Sequence, residues 1–298
     1  MSGPLRVATR GSALARWQAE RVAHLLDDDA ELVIVMTTGD RRADEPVHRM
    51  GGAGVFVKEV QEAVLDGRAD VAVHSAKDLP AETPDGLLLA AVPERADARD
   101  ALVGSTLAAL PTGAVVGTGS VRRRAQLAAL RPDLGFAELR GNIQTRLDKV
   151  TGFDAIVVAA AALDRLELSD RIAERLSFAD MLPQVGQGAL AVECRADDDS
   201  TRELLVAIDD ADAHLAVTAE RAFLAELGGG CSLPVGAHAR VSELPEPGEG
   251  DARAVSIEGL IASEDGRRVV RTAEVGADAE SAGRTLAEHL CLGFEELG

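Results

Sequence analysis

Through the first two thirds of the chain, short apolar runs alternate with segments whose apolar residues recur at three- and four-residue spacing. This is the pattern of strand and helix units stacked on a mostly parallel sheet. It predicts strands over residues 5–9, 32–36, 70–74, 87–92, 114–117, 135–139, 155–159 and 190–194, and helices over 12–26, 55–66, 121–130 and 142–150. Two α/β lobes follow. Their boundaries are expected near 93–97, where apolar content falls, and near 183–188, where Pro183, Gly186 and Gly188 interrupt the pattern. The last third changes character, with a predicted helix over 212–227, strands over 235–241, 254–261 and 268–275, and a helix over 279–290. That order reads as a small α+β domain, and no repeat at solenoid spacing is present.

At 298 residues the chain suits two or three compact domains. No run reaches the length of a membrane span and no basic, apolar leader opens the sequence, so a cytoplasmic protein is expected. Cys194, Cys231 and Cys291 have no metal-ligand spacing, which predicts neither a metal site nor a disulfide framework. A formal charge of -19 disfavours nucleic acid and anionic membranes as partners. Only Lys58, Lys77 and Lys149 among the 31 cations are lysine. An acidic, lysine-poor surface suits a halophilic source, and a GC-rich genome would leave the same composition.

Three segments share one layout of strand, tight turn and helix cap. They are Val7-Ala8-Thr9-Arg10-Gly11-Ser12, Val116-Gly117-Thr118-Gly119-Ser120-Val121-Arg122-Arg123 and Leu139-Arg140-Gly141-Asn142. At the carboxyl ends of strands such turns expose free N–H groups and a positive dipole end, a cradle for carboxylate or phosphate, though each is also an ordinary helix cap. Between Val115 and Val150 there are seven cations against three acids, an island suited to a polyanion because the arginine fork binds carboxylates bidentately. The GxGxxG and Walker sequences are absent, which disfavours nucleotides. His74-Ser75-Ala76-Lys77-Asp78 follows an apolar strand, and a lysine beside Asp78 can keep that carboxylate ionised next to a developing cation. His74 itself reads more readily as a structural histidine. The run Gly228-Gly229-Gly230-Cys231 is either a presented thiol or a helix C-cap with a packed cysteine.

These residues together resemble the porphobilinogen deaminase family of tetrapyrrole biosynthesis. The likeness runs nearly end to end. It rests on Ala8-Thr9-Arg10-Gly11-Ser12 with Trp17-Gln18, Val73-His74-Ser75-Ala76-Lys77-Asp78-Leu79-Pro80, Gly117 to Arg123, Leu139 to Asn142 with Thr145-Arg146-Leu147, Gly186-Gln187-Gly188, Thr218 to Ala222 and the Cys231 loop. The resemblance implies two lobes like type II periplasmic binding proteins, crossed twice by the chain, plus a C-terminal α+β domain. Residues 1–95 and 189–209 would form the first lobe, 96–188 the second and 210–298 the third domain. It implies a dipyrromethane cofactor covalently attached to Cys231, to which four porphobilinogen molecules are added head to tail with loss of ammonia, so that hydroxymethylbilane is released. Porphobilinogen and the growing linear pyrrole chain would be the partners of an expected monomer.

Positive charge develops on pyrrole nitrogens in such a reaction, and the resemblance assigns Asp78 to stabilise it. It makes Ser75, Lys77, Thr118, Ser120, Arg122, Arg123 and Arg146 the companions of Cys231 and Asp78 around the cofactor. It turns Arg10, Ser12, Gln18, Phe56, Arg140, Arg165 and Gln187 toward substrate, with Phe56 beside a lid at 41–54. The chain departs from many relatives in having Gly119 where they have a second serine and Ala53 where they have a lid lysine. A non-catalytic two-lobe binding protein for a small polycarboxylate is the alternative. An enzyme using Cys231 as an ordinary nucleophile ranks below both, since the loop offers no paired base.

Overall fold

The computed structural model describes residues 3–26, 30–41, 54–228, 234–243 and 253–296. Their strands form three sheets. The first contains β1 (Arg6–Arg10), β2 (Glu31–Val35), β3 (Val71–Ser75), β4 (Leu87–Ala91) and β10 (Leu190–Arg195), in the order β2-β1-β3-β10-β4. β1 runs parallel to β2 and β3, and β10 lies antiparallel between β3 and β4. The second contains β5 (Asp100–Val103), β6 (Val115–Gly117), β7 (Gly135–Ala137), β8 (Ala155–Ala159) and β9 (Ile172–Arg175), in the order β7-β6-β8-β5-β9. Here β6 is parallel to β7 and β8, and β5 is antiparallel to both its neighbours. Each sheet therefore places its antiparallel strand fourth, and the chain crosses between sheets after β4 and again after β9.

Sequence accounts for these elements locally. β3 and β8 are buried along nearly their whole length, as continuous apolar runs require when both faces of a sheet are covered. α1 (Ala13–Leu25) buries Ala15, Gln18, Ala19 and Val22, one stripe at helical spacing, against the first sheet. Ser12, Ser120 and Asn142 cap α1, α4 (Val121–Leu130) and α5 (Ile143–Asp148) by accepting from the backbone N–H of Ala15, Arg123 and Thr145. All three predicted caps are present.

The third sheet is an antiparallel meander of β11 (Val235–Glu243), β12 (Arg253–Ala262) and β13 (Val269–Gly276). α8 (Ala211–Glu226) and α9 (Ala279–Glu296) close over it around Phe223, Ile257, Leu286 and Leu290. Burying each such side chain is worth roughly 1.5–3 kcal/mol. This domain is docked on both lobes. Arg271 donates to the carbonyls of Phe178 and Ala179 at 2.7 Å each, and Arg221 reaches Pro80 O at 2.9 Å and Thr83 Oγ1 at 3.0 Å.

The α/β reading with two lobes and a C-terminal α+β domain holds, with local differences. β5 escaped the pattern because its four residues open on a charged Asp100, and β9 because Ile-Ala-Glu-Arg at a sheet edge shows no apolar alternation. α6 (Ala160–Arg165) follows β8 without a polar break, and its Ala-Ala-Ala start offers no cap to announce a helix. α7 (Asp199–Leu205), capped by Asp198, is too short and polar to show an apolar stripe, and α9 runs past residue 290 to Glu296.

Candidate active site

A cleft opens at the turns that end the first-sheet strands, where Arg146 of the second lobe and Asp78 act on each other electrostatically. Arg10, Ser12, Gln18, Phe56, His74, Ser75 and Asp78 line the cleft. Gln18 Nε2 donates to Ser75 Oγ at 2.7 Å, fastening α1 to the end of β3. Beyond Ser75 the chain tightens into a 3-10 turn, Ala76–Asp78, which swings Lys77 and Asp78 out of the sheet. Among the described residues the Asp78 side chain makes no hydrogen bond, although its charge acts on both Lys77 and Arg146. His74 is buried with Nε2 3.3 Å from Glu193 Oε2, in keeping with a structural histidine.

Arginines of the second lobe lie within electrostatic reach of Lys77 and Asp78. Asp100, fully buried, collects two of them. Arg123 donates to its Oδ1 from Nε at 3.0 Å and Nη2 at 2.7 Å, while Arg122 Nη2 lies 2.8 Å from Oδ2. Arg122 also donates to Leu182 O at 2.6 Å and Arg123 to Val157 O at 3.0 Å. Burial pushes the Asp100 carboxyl up, but the two guanidiniums and Gln187 outweigh it and hold the group below the usual carboxylate range. For Arg122 burial wins and its pKa falls.

Two further cations are less engaged. Arg146 donates from Nε to Gly141 O at 2.8 Å, and among the described residues its two Nη groups have no partner. Burial first, then Arg123 and Arg140, lower it to about 10. Lys77, partly exposed to the cleft but enclosed by both lobes, is lowered to about 8, chiefly by burial and further by Arg123 and Arg146. Its nearest hydrogen-bond partner is Gln187 Oε1 at 3.5 Å. Arg140 pairs with Glu138 at 2.5 Å.

The crossing segments are fixed by one carboxylate. Glu220, fully buried on α8, accepts from Arg95 Nη1 at 2.7 Å and Nη2 at 3.1 Å, from Gly186 N at 2.6 Å and from Ala239 N at 2.8 Å. Arg95 in turn donates to Gln187 O, so both crossings and the third domain meet at Glu220.

Residues 5–203 match the family described as porphobilinogen deaminase, dipyromethane cofactor binding domain, and residues 214–291 match porphobilinogen deaminase, C-terminal domain. Porphobilinogen deaminase of Syntrophotalea carbinolica is 48% identical, covering 97% of this chain and 93% of its own. That of Brevibacillus brevis is 45% identical, over 97% of this chain and 94% of its own. The chain belongs to the porphobilinogen deaminase family. Among solved structures, a periplasmic sulfonate-binding protein, SsuA, from Methylobacillus flagellatus is 14% identical with a TM-score of 0.39, over 73% of this chain and 66% of that one. As a porphobilinogen deaminase the chain is a transferase of tetrapyrrole biosynthesis that uses a dipyrromethane cofactor and takes porphobilinogen as substrate. The binding-protein alternative is not favoured.

The structure gathers Arg10, Ser12, Gln18, Phe56, Ser75 and Asp78 in one cleft. Arg146 lies within the electrostatic reach of both Lys77 and Arg140. The positive island is not one site. Arg131 pairs with Asp133 at 2.7 Å on the surface, and Arg124 is exposed. Gln187 is fully buried, its amide donates to Ala98 O and Asp100 Oδ1, and its Oε1 lies 3.5 Å from Lys77 Nζ. Arg165 is buried by 92%, donates to Gly188 O at 2.7 Å and lies 5.7 Å from the Trp17 ring across the lobe contact. Cys231, Ala53 and residues 42–53 of the expected lid lie outside the described residues. The glycine at 119 has a local reason, since a Cβ there would lie 2.9 Å from Glu138 Oε1 and 3.0 Å from Leu139 O.

Asp40, Asp100, Arg95 and Glu220 went unassigned in the sequence. A single acid at the head of a buried apolar run was the one signal for Asp100. Nothing in the spacing marks Glu220, whose partners come from three distant segments.

Proposed function

We propose that this cleft is where porphobilinogen units are joined head to tail, with Asp78 as the catalytic carboxylate and Cys231 as the attachment point of the cofactor. The observation that carries the reading is an Asp78 side chain free of hydrogen bonds to the described residues, facing the cleft between two incompletely paired cations, Lys77 and Arg146. A carboxylate already bound to an arginine has little charge left for a developing pyrrolium, whereas an unengaged one is preorganised to stabilise it.

The residues fit a dipyrromethane bearing acetate and propionate groups. Lys77 and Arg146 are crowded cations whose charge a polycarboxylate would balance, and Ser120 with Thr118 stands at a helix N-terminus suited to a carboxylate. When bound, the cofactor supplies the free α-carbon onto which pyrrole units are joined. Arg122 and Arg123 each keep N–H groups beyond those used on Asp100, Leu182 and Val157, and contribute a fixed positive field behind the cofactor carboxylates. Ser75 is held for the same task by Gln18. Arg10, Ser12, Phe56 and Arg140 receive the incoming substrate, and Arg165 and Gln187 act from behind it by holding the lobe contact and Lys77.

The proposed domain limits, 1–95 with 189–209, 96–188 and 210–298, are supported by the membership of each strand in one of three sheets. A cytoplasmic monomer with a salt-tolerant acidic surface completes the proposal, and full stability in dilute buffer would remove the halophilic element. The test of function is intact mass spectrometry with peptide mapping and an Ehrlich reaction. A dipyrromethane on the peptide containing Cys231 is expected. A thiol that stays unmodified after incubation with porphobilinogen would overturn the attachment point.

A further inference from the structure

Arg10 has two edges with which it can grip a carboxylate, Nε with Nη2 along its side and Nη1 with Nη2 at its end. The side edge is taken. Asp40 Oδ1 accepts from Nε at 3.2 Å and from Nη2 at 2.5 Å, and Oδ2 lies 3.3 Å from Nε. Among the described residues Nη1 has no hydrogen-bond partner, and Arg10 lines the cleft.

Asp40 is itself anchored. Its Oδ2 accepts from Thr37 N at 3.2 Å and from the hydroxyl of the fully buried Thr37 at 2.7 Å. The next residue, Thr38, donates from N and Oγ1 to Glu59 Oε1 at 2.7 and 2.6 Å, fastening the turn to the helix Lys58–Leu65. Below the guanidinium, 4.2 Å from its carbon, is the ring of Phe56. That ring crosses the turn at Gly39, where any Cβ would fall 2.1 Å from it, so the platform tolerates no side chain at this position.

We infer that Asp40 is a positioning residue for substrate. It locks the side edge of Arg10 so that the end edge meets a carboxylate of the incoming pyrrole in one orientation. The inference rests on the reading of Arg10 as a substrate-binding residue. Without Asp40 the guanidinium regains rotamer freedom that each binding event must then remove. An exchangeable counter-ion, displaced from Arg10 whenever substrate binds, would act with the opposite sign on affinity.

The experiment compares steady-state kinetics of the cofactor-loaded Arg10→Met, Asp40→Asn and Thr37→Val variants and of the Arg10→Met/Asp40→Asn double variant, with porphobilinogen as substrate. Asp40→Asn should raise KM about tenfold and change kcat by less than about threefold, as expected for loss of ground-state binding. Thr37→Val should move KM the same way by about threefold, and it carries the test if Asp40→Asn does not fold. The double variant should be no worse than Arg10→Met alone, because Asp40 acts only through Arg10. A lower KM in Asp40→Asn, or losses that multiply in the double variant, would overturn the inference. If Arg10→Met leaves KM unchanged, the substrate reading of Arg10 falls and the inference with it. If Arg10→Met raises KM while both Asp40→Asn and Thr37→Val are silent, only the inference falls.

Discussion

In the first lobe the helix after β1 is capped by Ser12, and in the second the helix after β6, which holds the matching place in its sheet, is capped by Ser120. Both lobes thus set a strand end and a capped helix N-terminus at the same place in the same strand order. Their charges are handled in opposite ways. The second lobe locks Arg122 and Arg123 onto a fully buried Asp100, whereas the first leaves Asp78 without a hydrogen bond from any described residue. One backbone layout thereby serves two tasks. Holding a polycarboxylate asks for cations that cannot move, and stabilising a transient cation asks for a carboxylate that is not already spent.

Asp100→Asn should break this contrast most severely. It would leave two buried guanidiniums facing a neutral amide, at a cost of about 3–5 kcal/mol. Thermal unfolding should fall accordingly and cofactor loading should fail; a variant as stable and as fully loaded as the parent would show that the arginines do not depend on Asp100. Glu220→Gln comes next, because the amide keeps the shape but withdraws charge from Arg95 and two backbone donors, a loss of about 2–3 kcal/mol. Limited proteolysis should then cut first at the crossings, and an unchanged cleavage pattern would deny Glu220 its place at their junction.

The smallest effect sharpens the contrast through pH. Burial, the main cause, lowers Lys77 from its ordinary 10.5 to about 8. Between those values the unfolded chain holds a proton that the folded chain has lost, so this group makes stability rise with pH across that window. Binding of a cofactor carboxylate needs the charged amine and should weaken over the same range. Cofactor uptake by the apo chain should drop about tenfold per pH unit above about 8, and Lys77→Arg should remove the dependence. A flat profile up to pH 10 in the parent would exclude Lys77 from cofactor binding.

The halves of this comparison were unequally legible. Ser12, Ser120 and Asn142 announced their helices because capping is local, and Asp78 stood out as an acid just past an apolar strand. Asp100 was silent because its partners lie 22 and 23 positions away on another element, as was Asp40, 30 positions from Arg10. Gln187 is assigned toward substrate by the resemblance alone, and the fold turns its amide inward to Ala98 and Asp100. Pairings between distant elements decide which charges are engaged, and they have no periodicity to read.

The division of labour between the lobes is tested most directly by purifying Asp78→Asn and Arg123→Leu in parallel, and reading dipyrromethane content by intact mass beside porphobilinogen consumption. Asp78→Asn should be folded, carry the cofactor and lose about a hundredfold or more in turnover, whereas Arg123→Leu should lack the cofactor. An Asp78→Asn protein that consumes porphobilinogen at near the parent rate would contradict the account.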